Sequence, residues 1–230
     1  MTEHEPELPD FESIPDPGAK SAPLPPRPRP VLSSRGPTRR DLTHGRRIAL
    51  LVSAGWIGAQ LAASGLRGDL ARVPLGYTFG FAVVPVVAGL VCLIAATTPG
   101  RLGLGARVTV LATLALALPA TFAVVSYVFS PPYAGAPAGE FKYGVLCFNV
   151  ALAWTLLPLV AAGIALRGTF VTRATLRSAL VGAAAGLIVS ATSMLRCPLS
   201  DSWHMALSHG GAVIAAALFG ATVLARVTRV

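Results

Sequence analysis

Charge is scarce in this chain. Of its 230 residues, 13% are Asp, Glu, Lys or Arg, about half the share of a soluble domain. So few charges cannot cover a water-facing globule, which excludes a soluble enzyme of ordinary composition. Cysteine is scarce too, at three residues, and that excludes a disulfide scaffold. Acids number 10 against 19 bases, and none lies near the middle of a long apolar run. A proton-coupled transporter needs an intramembrane carboxylate, so this absence counts against one. No catalytic triad, phosphate loop or paired carboxylate is found, so neither an enzyme nor a cofactor is expected. The first apolar run begins only at Ile48, too late for the core of a cleavable signal peptide.

What is present divides the chain in two. Residues 1–47 hold ten of the 19 prolines and seven of the ten acids. Such a stretch cannot bury enough apolar surface to offset its ordering entropy, so a disordered tail is expected. Its acids, Glu3 to Asp16, come first and its bases, Lys20 to Arg47, follow. The run PLPPRPRP, Pro23 to Pro30, should be stiff polyproline II. Residues 48–230 form the transmembrane domain. Six apolar runs near the roughly 20 residues needed to cross a bilayer occupy 48–66, 73–96, 108–129, 144–166, 174–195 and 203–225. A chain inside a bilayer must satisfy its own backbone, so each run reads as a helix. The expected fold is an all-α integral membrane protein, a six-helix bundle in a lipid bilayer. Its fifth span is interrupted near the start by Arg177.

The bases set the orientation. With the N-terminus inside, 15 of the 19 Lys and Arg residues fall on the cytoplasmic side. The outer loops keep Arg67, Arg72, Lys142 and Arg196. Both termini are therefore expected in the cytoplasm. Charges spaced between apolar runs speak of membrane topology rather than of direct nucleic-acid binding.

Inside the spans, Pro85, Pro119 and Pro158 each remove a backbone donor, so each freed carbonyl must find a neighbour or a water. They either shape the packing or act as hinges. Sizeable hydrogen-bonding side chains well inside the spans are few: Trp56, Gln60, Asn149, Trp154 and His209. In the fifth span Ala174, Ser178, Gly182, Gly186 and Ser190 recur every fourth residue, a stripe on which membrane helices approach closely. The stripe serves packing within one bundle or the contact of a homo-oligomer.

Topology also gathers a group that spacing alone would miss. Cys147 lies near the outer end of span four, Cys197 just past the outer end of span five, and His204 and His209 at the start of span six. Cys92 belongs to the opposite leaflet. The two outer thiols suit a disulfide, and two thiols with two imidazoles suit zinc or another thiophilic metal. His204 and His209, five apart, point about 140° apart on an α-helix, so joint ligation needs an irregular turn. The plain alternative is two small apolar cysteines and two histidines bonded to backbone, with Trp203 as an interface anchor.

The C-terminal third resembles a known family. Cys147 near the start of span four, a Gly/Ala-rich span five, the box Leu195-Arg-Cys-Pro-Leu-Ser-Asp-Ser-Trp-His204 and then His209-Gly-Gly211 look like the NrsF-type membrane anti-sigma family. The plan of a cytoplasmic N-terminal region followed by six spans is similar over residues 48–230. The resemblance implies sensing at Cys147 and Cys197. It also implies a stress-response regulator in the bacterial inner membrane that holds an extracytoplasmic-function sigma factor inactive. The proline-rich tail departs from the family pattern. Within that tail, Leu8, Phe11 and Ile14 among the acids form a candidate segment that orders on a basic sigma surface, or else a solvated extension whose basic stretch touches anionic lipid. The other function considered is a small permease or transporter accessory protein, suggested by the three kinked spans.

Overall fold

The computed structural model describes residues 39–98, 107–129, 141–170, 172–199 and 201–229. Among them the regular elements are helices: α1 (Arg39–Ser64), α2 (Leu75–Thr97), α3 (Val108–Val128), α4 (Phe141–Ala165) and α5 (Ala174–Met194), then α6 (Ser202–Thr228). All six are long and apolar enough to cross a membrane. A short 3₁₀ turn, Leu70–Arg72, links α1 to α2. Each helix overlaps one of the six apolar runs, and its ends lie within a few residues of that run, with one exception.

That exception is the start of α1. The expected tail boundary at residue 47 falls inside a helix that begins at Arg39. Hydropathy marks the part of a helix that crosses lipid, and the polar turns Arg39–Arg47 continue the same helix beyond it. Packing holds this extension in place. Leu42 and Ala49 are buried, and a Cβ on Gly45 would sit 2.6 Å from the Ala165 carbonyl oxygen at the far end of α4. The acidic stretch, the proline run and Leu8, Phe11 and Ile14 lie outside the described residues.

α5 is the hub. In its most apolar stretch 89% of residues are buried, against 11% to 44% for the other five helices. Arg177, which interrupts the span in sequence, is itself buried and lies at the edge of this helix. Its Nη1 donates to the carbonyls of Ala96 and Thr98 at the end of α2, and its guanidinium stands over the Phe170 ring. A helix end leaves carbonyls without intrahelical donors, so one long cation here serves another helix.

The small-residue stripe is turned toward α6. A Cβ on Gly182 would collide with the Ala216 carbonyl oxygen, and one on Gly186 would stand 2.9 Å from the Val213 Cα. Ser178 Oγ and Thr228 Oγ1 share a hydrogen bond of 2.7 Å. Ser190 Oγ donates to the His209 carbonyl at 3.1 Å. Reciprocally, a Cβ on Gly220 of α6 would strike the Ser178 carbonyl oxygen.

The three internal prolines are all buried. At Pro158 the freed carbonyl, that of Trp154, accepts the indole N–H of Trp56 from α1 at 2.8 Å. The expected rescue of a proline-freed carbonyl is thus made by a side chain of a neighbouring helix. Elsewhere, beside Pro85, a crevice of about 580 Å³ lies between α2 and α3, bordered by Tyr77, Phe81, Val84, Phe122 and Phe129 with Leu187 of α5.

Candidate functional site

The site begins with a turn. After α5 the chain bends through Leu195, Arg196, Cys197 and Pro198, and two devices hold that bend. The backbone N–H of Arg67, in the α1–α2 connection, donates to the Leu195 carbonyl at 3.0 Å. The Arg67 guanidinium donates to the Pro198 carbonyl at 2.9 Å while pairing with Asp69 at 2.6 Å. Arg196 folds away over the Trp154 ring, 3.9 Å from its centroid. Burial pushes the Arg196 guanidinium below its usual range, partly offset by the nearby Cys197.

Asp201 then starts α6. Its Oδ1 accepts the backbone N–H of His204 at 2.9 Å, a side-chain cap of the first turn. The cap fixes the direction in which His204 leaves the helix. His204 Nε2 thereby comes within 3.2 Å of Cys197 Sγ. From α4, Cys147 joins them. The ligand atoms of Cys147, Cys197 and His204 all lie within 4.8 Å of one another, and both thiols are free. The contact with Cys147, followed by burial, raises the Cys197 thiol well above its usual range. Three separate elements thus converge on one point.

His209 stands beside this group, outside the mutual 4.8 Å set. Its ring centroid is 5.7 Å from that of His204. The geometry depends on a backbone irregularity, because Met205–Gly210 is wound as a π-helix. Bonds from i to i+5 stack residues five apart nearly over one another, where an α-helix would turn them to different faces. The irregular turn that joint use of the two histidines demands is therefore present. It is braced by Ser190 on the His209 carbonyl and by Ser208 Oγ, which donates to the Gly144 carbonyl of α4 at 2.9 Å. The second brace ties the π-turn to the helix that carries Cys147.

Other residues singled out in the sequence lie elsewhere. Cys92 is fully buried on α2, toward the opposite end of that helix. Trp203 is exposed and packs edge-on against Tyr127, centroids 5.3 Å apart. The anchors Arg67, Asp69 and Asp201 were not singled out. For Asp201 the signal was available, since a capping residue three positions before His204 is a helix-start pattern. For Arg67 none was, because its partners are backbone carbonyls distant in sequence.

The arrangement is chemically able to do two things: hold a thiophilic cation, or join two sulfurs. Two thiols and an imidazole are soft ligands and redox-active groups, which suits this cluster to binding or redox chemistry. No curated protein and no solved structure matches the chain. A family model does, that of NrsF, negative regulator of sigma F, over residues 32–229. The matched stretch takes in all six helices and the Cys147–Cys197–His204 group, and the chain belongs to the family of negative regulators of sigma F.

Proposed function

We propose that this protein is an integral membrane anti-sigma factor with both termini in the cytoplasm of a bacterial cell. It sequesters an extracytoplasmic-function sigma factor at the inner membrane and releases it when the Cys147–Cys197–His204 group changes redox or metal state. The observation that carries the sensory half is the meeting of two thiols and an imidazole from three elements in a chain of the sigma-regulator family. The charge asymmetry supports the orientation, placing this group at the outer leaflet. The helical extension Arg39–Arg47 supports a cytoplasmic docking site, since Arg40, His44 and Arg47 are exposed around one polar hollow. A change at the group must bias a bistable bundle by a few kcal/mol. α4 is placed to carry it, touching the group near one end and Gly45 at the other. An enzymatic reaction forms no part of this reading.

The test combines capture with substitution. Detergent-solubilised protein should co-purify with its sigma factor, and Cys147→Ser and Cys197→Ser should each lock it in one signalling state. Cys92→Ser should respond like the parent. A double serine variant that still responds normally would sink the sensory role. Deleting residues 1–30 should relieve repression while leaving insertion intact. Full repression after that deletion would move the contact to the inner loops. Reporter fusions after Arg107 and Val230 should read cytoplasm, and one between Ser130 and Lys142 should read outside.

A further inference from the structure

Three buried imidazole nitrogens in one place have no hydrogen-bond partner: His204 Nδ1 and both nitrogens of His209. His209 is 1% exposed. Leaving a buried donor or acceptor unsatisfied is costly, and a native structure that keeps several together calls for a reason. Packing does not supply one, because Leu or Phe would fill the same space without the cost. The π-turn deepens the puzzle. It is an irregularity in an otherwise regular helix, it begins right after His204, and its effect is to bring His209 round beside it.

We infer that Cys147, Cys197, His204 and His209 form a four-coordinate site for a divalent, thiophilic cation of the zinc and cadmium class. The inference rests on reading the Cys147–Cys197–His204 group as the sensory input. It goes further by choosing metal over disulfide and by assigning His209 as the fourth ligand. Three ligand atoms already lie within 4.8 Å of one another. Two nitrogens on one tetrahedral zinc stand about 3.4 Å apart, given zinc–nitrogen bonds near 2.05 Å. Ring centroids 5.7 Å apart let the two imidazoles reach that separation by side-chain rotation, with no change in the helix. Charge selects the ion. Two thiols each give up a proton to water on binding, so a dication with two thiolates and two neutral imidazoles carries no net charge. A neutral complex suits a site enclosed among apolar helices, whereas a monovalent cation would leave an uncompensated negative charge there. The neighbouring cations support the same choice, because Arg67 is paired with Asp69 and Arg196 is turned onto Trp154.

The experiment uses the full chain in detergent, stripped with chelator and titrated with Co²⁺ as a coloured stand-in for zinc. One Co²⁺ per chain is expected, with the intense visible bands of tetrahedral coordination and a thiolate charge-transfer band. Excess Zn²⁺ should displace it. Cys147→Ser and Cys197→Ser should each lose the charge-transfer intensity and at least a hundredfold in affinity. His209→Ala should lose at least tenfold and shift the visible bands, while Cys92→Ser matches the parent. His209→Asn, which keeps a polar side chain in the π-turn, should show the same loss and so separate ligation from folding. An absence of stoichiometric Co²⁺ in the folded parent overturns the site. Unchanged bands and affinity in both His209 variants overturn the fourth ligand. These readouts need no sigma factor. Failure of the metal site with thiol variants that still lock signalling would leave the sensory group standing as a redox device.

Discussion

α5 and α2 lie side by side and follow opposite rules. α2 is the more apolar, with mean hydropathy 2.6 against 1.5, yet 33% of its span is buried against 89% for α5. In water the greasier helix would go inside. Here α2 turns Phe79, Val84 and Val87 outward, and α5 fills the centre with Ala, Gly and Ser. Where the surroundings are as apolar as the side chains, burial of a valine gains nothing. Closeness of approach decides which helix is central. The same contrast holds at single positions. The Cβ of a residue replacing Gly182 on α5 would run into α6 backbone, while one at Gly80 on α2 would meet nothing within 4 Å.

The sharpest way to break the comparison is to put one side chain at both places. Gly182→Leu should prevent stable folding, a loss above the roughly 3 kcal/mol typical of overpacking. Gly80→Leu should change stability by no more than about 0.5 kcal/mol, as at a surface site. Thermal unfolding of both variants in detergent reads the difference, and equal stabilities would show that α5 is no hub. A smaller effect is expected at Arg177. Arg177→Leu strips its bonds from the end of α2 and should cost about 1.5–3 kcal/mol, the range for hydrogen bonds to charged groups. Arg177→Lys should recover part of it, and the same melts report both. The smallest effect falls on the α1–α4 contact. Trp56→Phe should cost about 1 kcal/mol by leaving the Trp154 carbonyl without its donor. In a Pro158→Ala background the backbone supplies that donor again, so a double-mutant cycle should show the Trp56 cost shrinking toward zero.

The layout of the bundle could be read from the sequence because continuous apolar runs and helical spacing are local signals. Span ends, proline positions and the stripe from Ala174 to Ser190 all belong to that class. What escaped was decided by distant backbone. Arg177 looked like a flaw in its span because its acceptors, the Ala96 and Thr98 carbonyls, carry no mark in the sequence. The first turns of α1 escaped for a different reason, since polar residues continue a helix without any hydropathic trace. The meeting of Cys147, Cys197 and His204 followed from counting which helix ends fall on one side. The same count puts His209 in that group, and its spacing of five from His204 calls for an irregular turn, but no residue type announces that the turn is a π-helix over Met205–Gly210.

The seam between α5 and α6 also limits what this sequence can become. Gly182 yields to the backbone at Ala216, and Gly220 yields to the backbone at Ser178 and to the Cα of Gly182. Each helix thus owes its neighbour an absent side chain, and neither glycine can drift unless the opposite strip retreats at the same moment. On the outer face of α2, where Phe79, Val84 and Val87 are exposed, exchange of one apolar side chain for another should cost little. Lineages of this chain should therefore diverge quickly along the lipid-facing helices. The α5–α6 pair should pass down almost as a single inherited part.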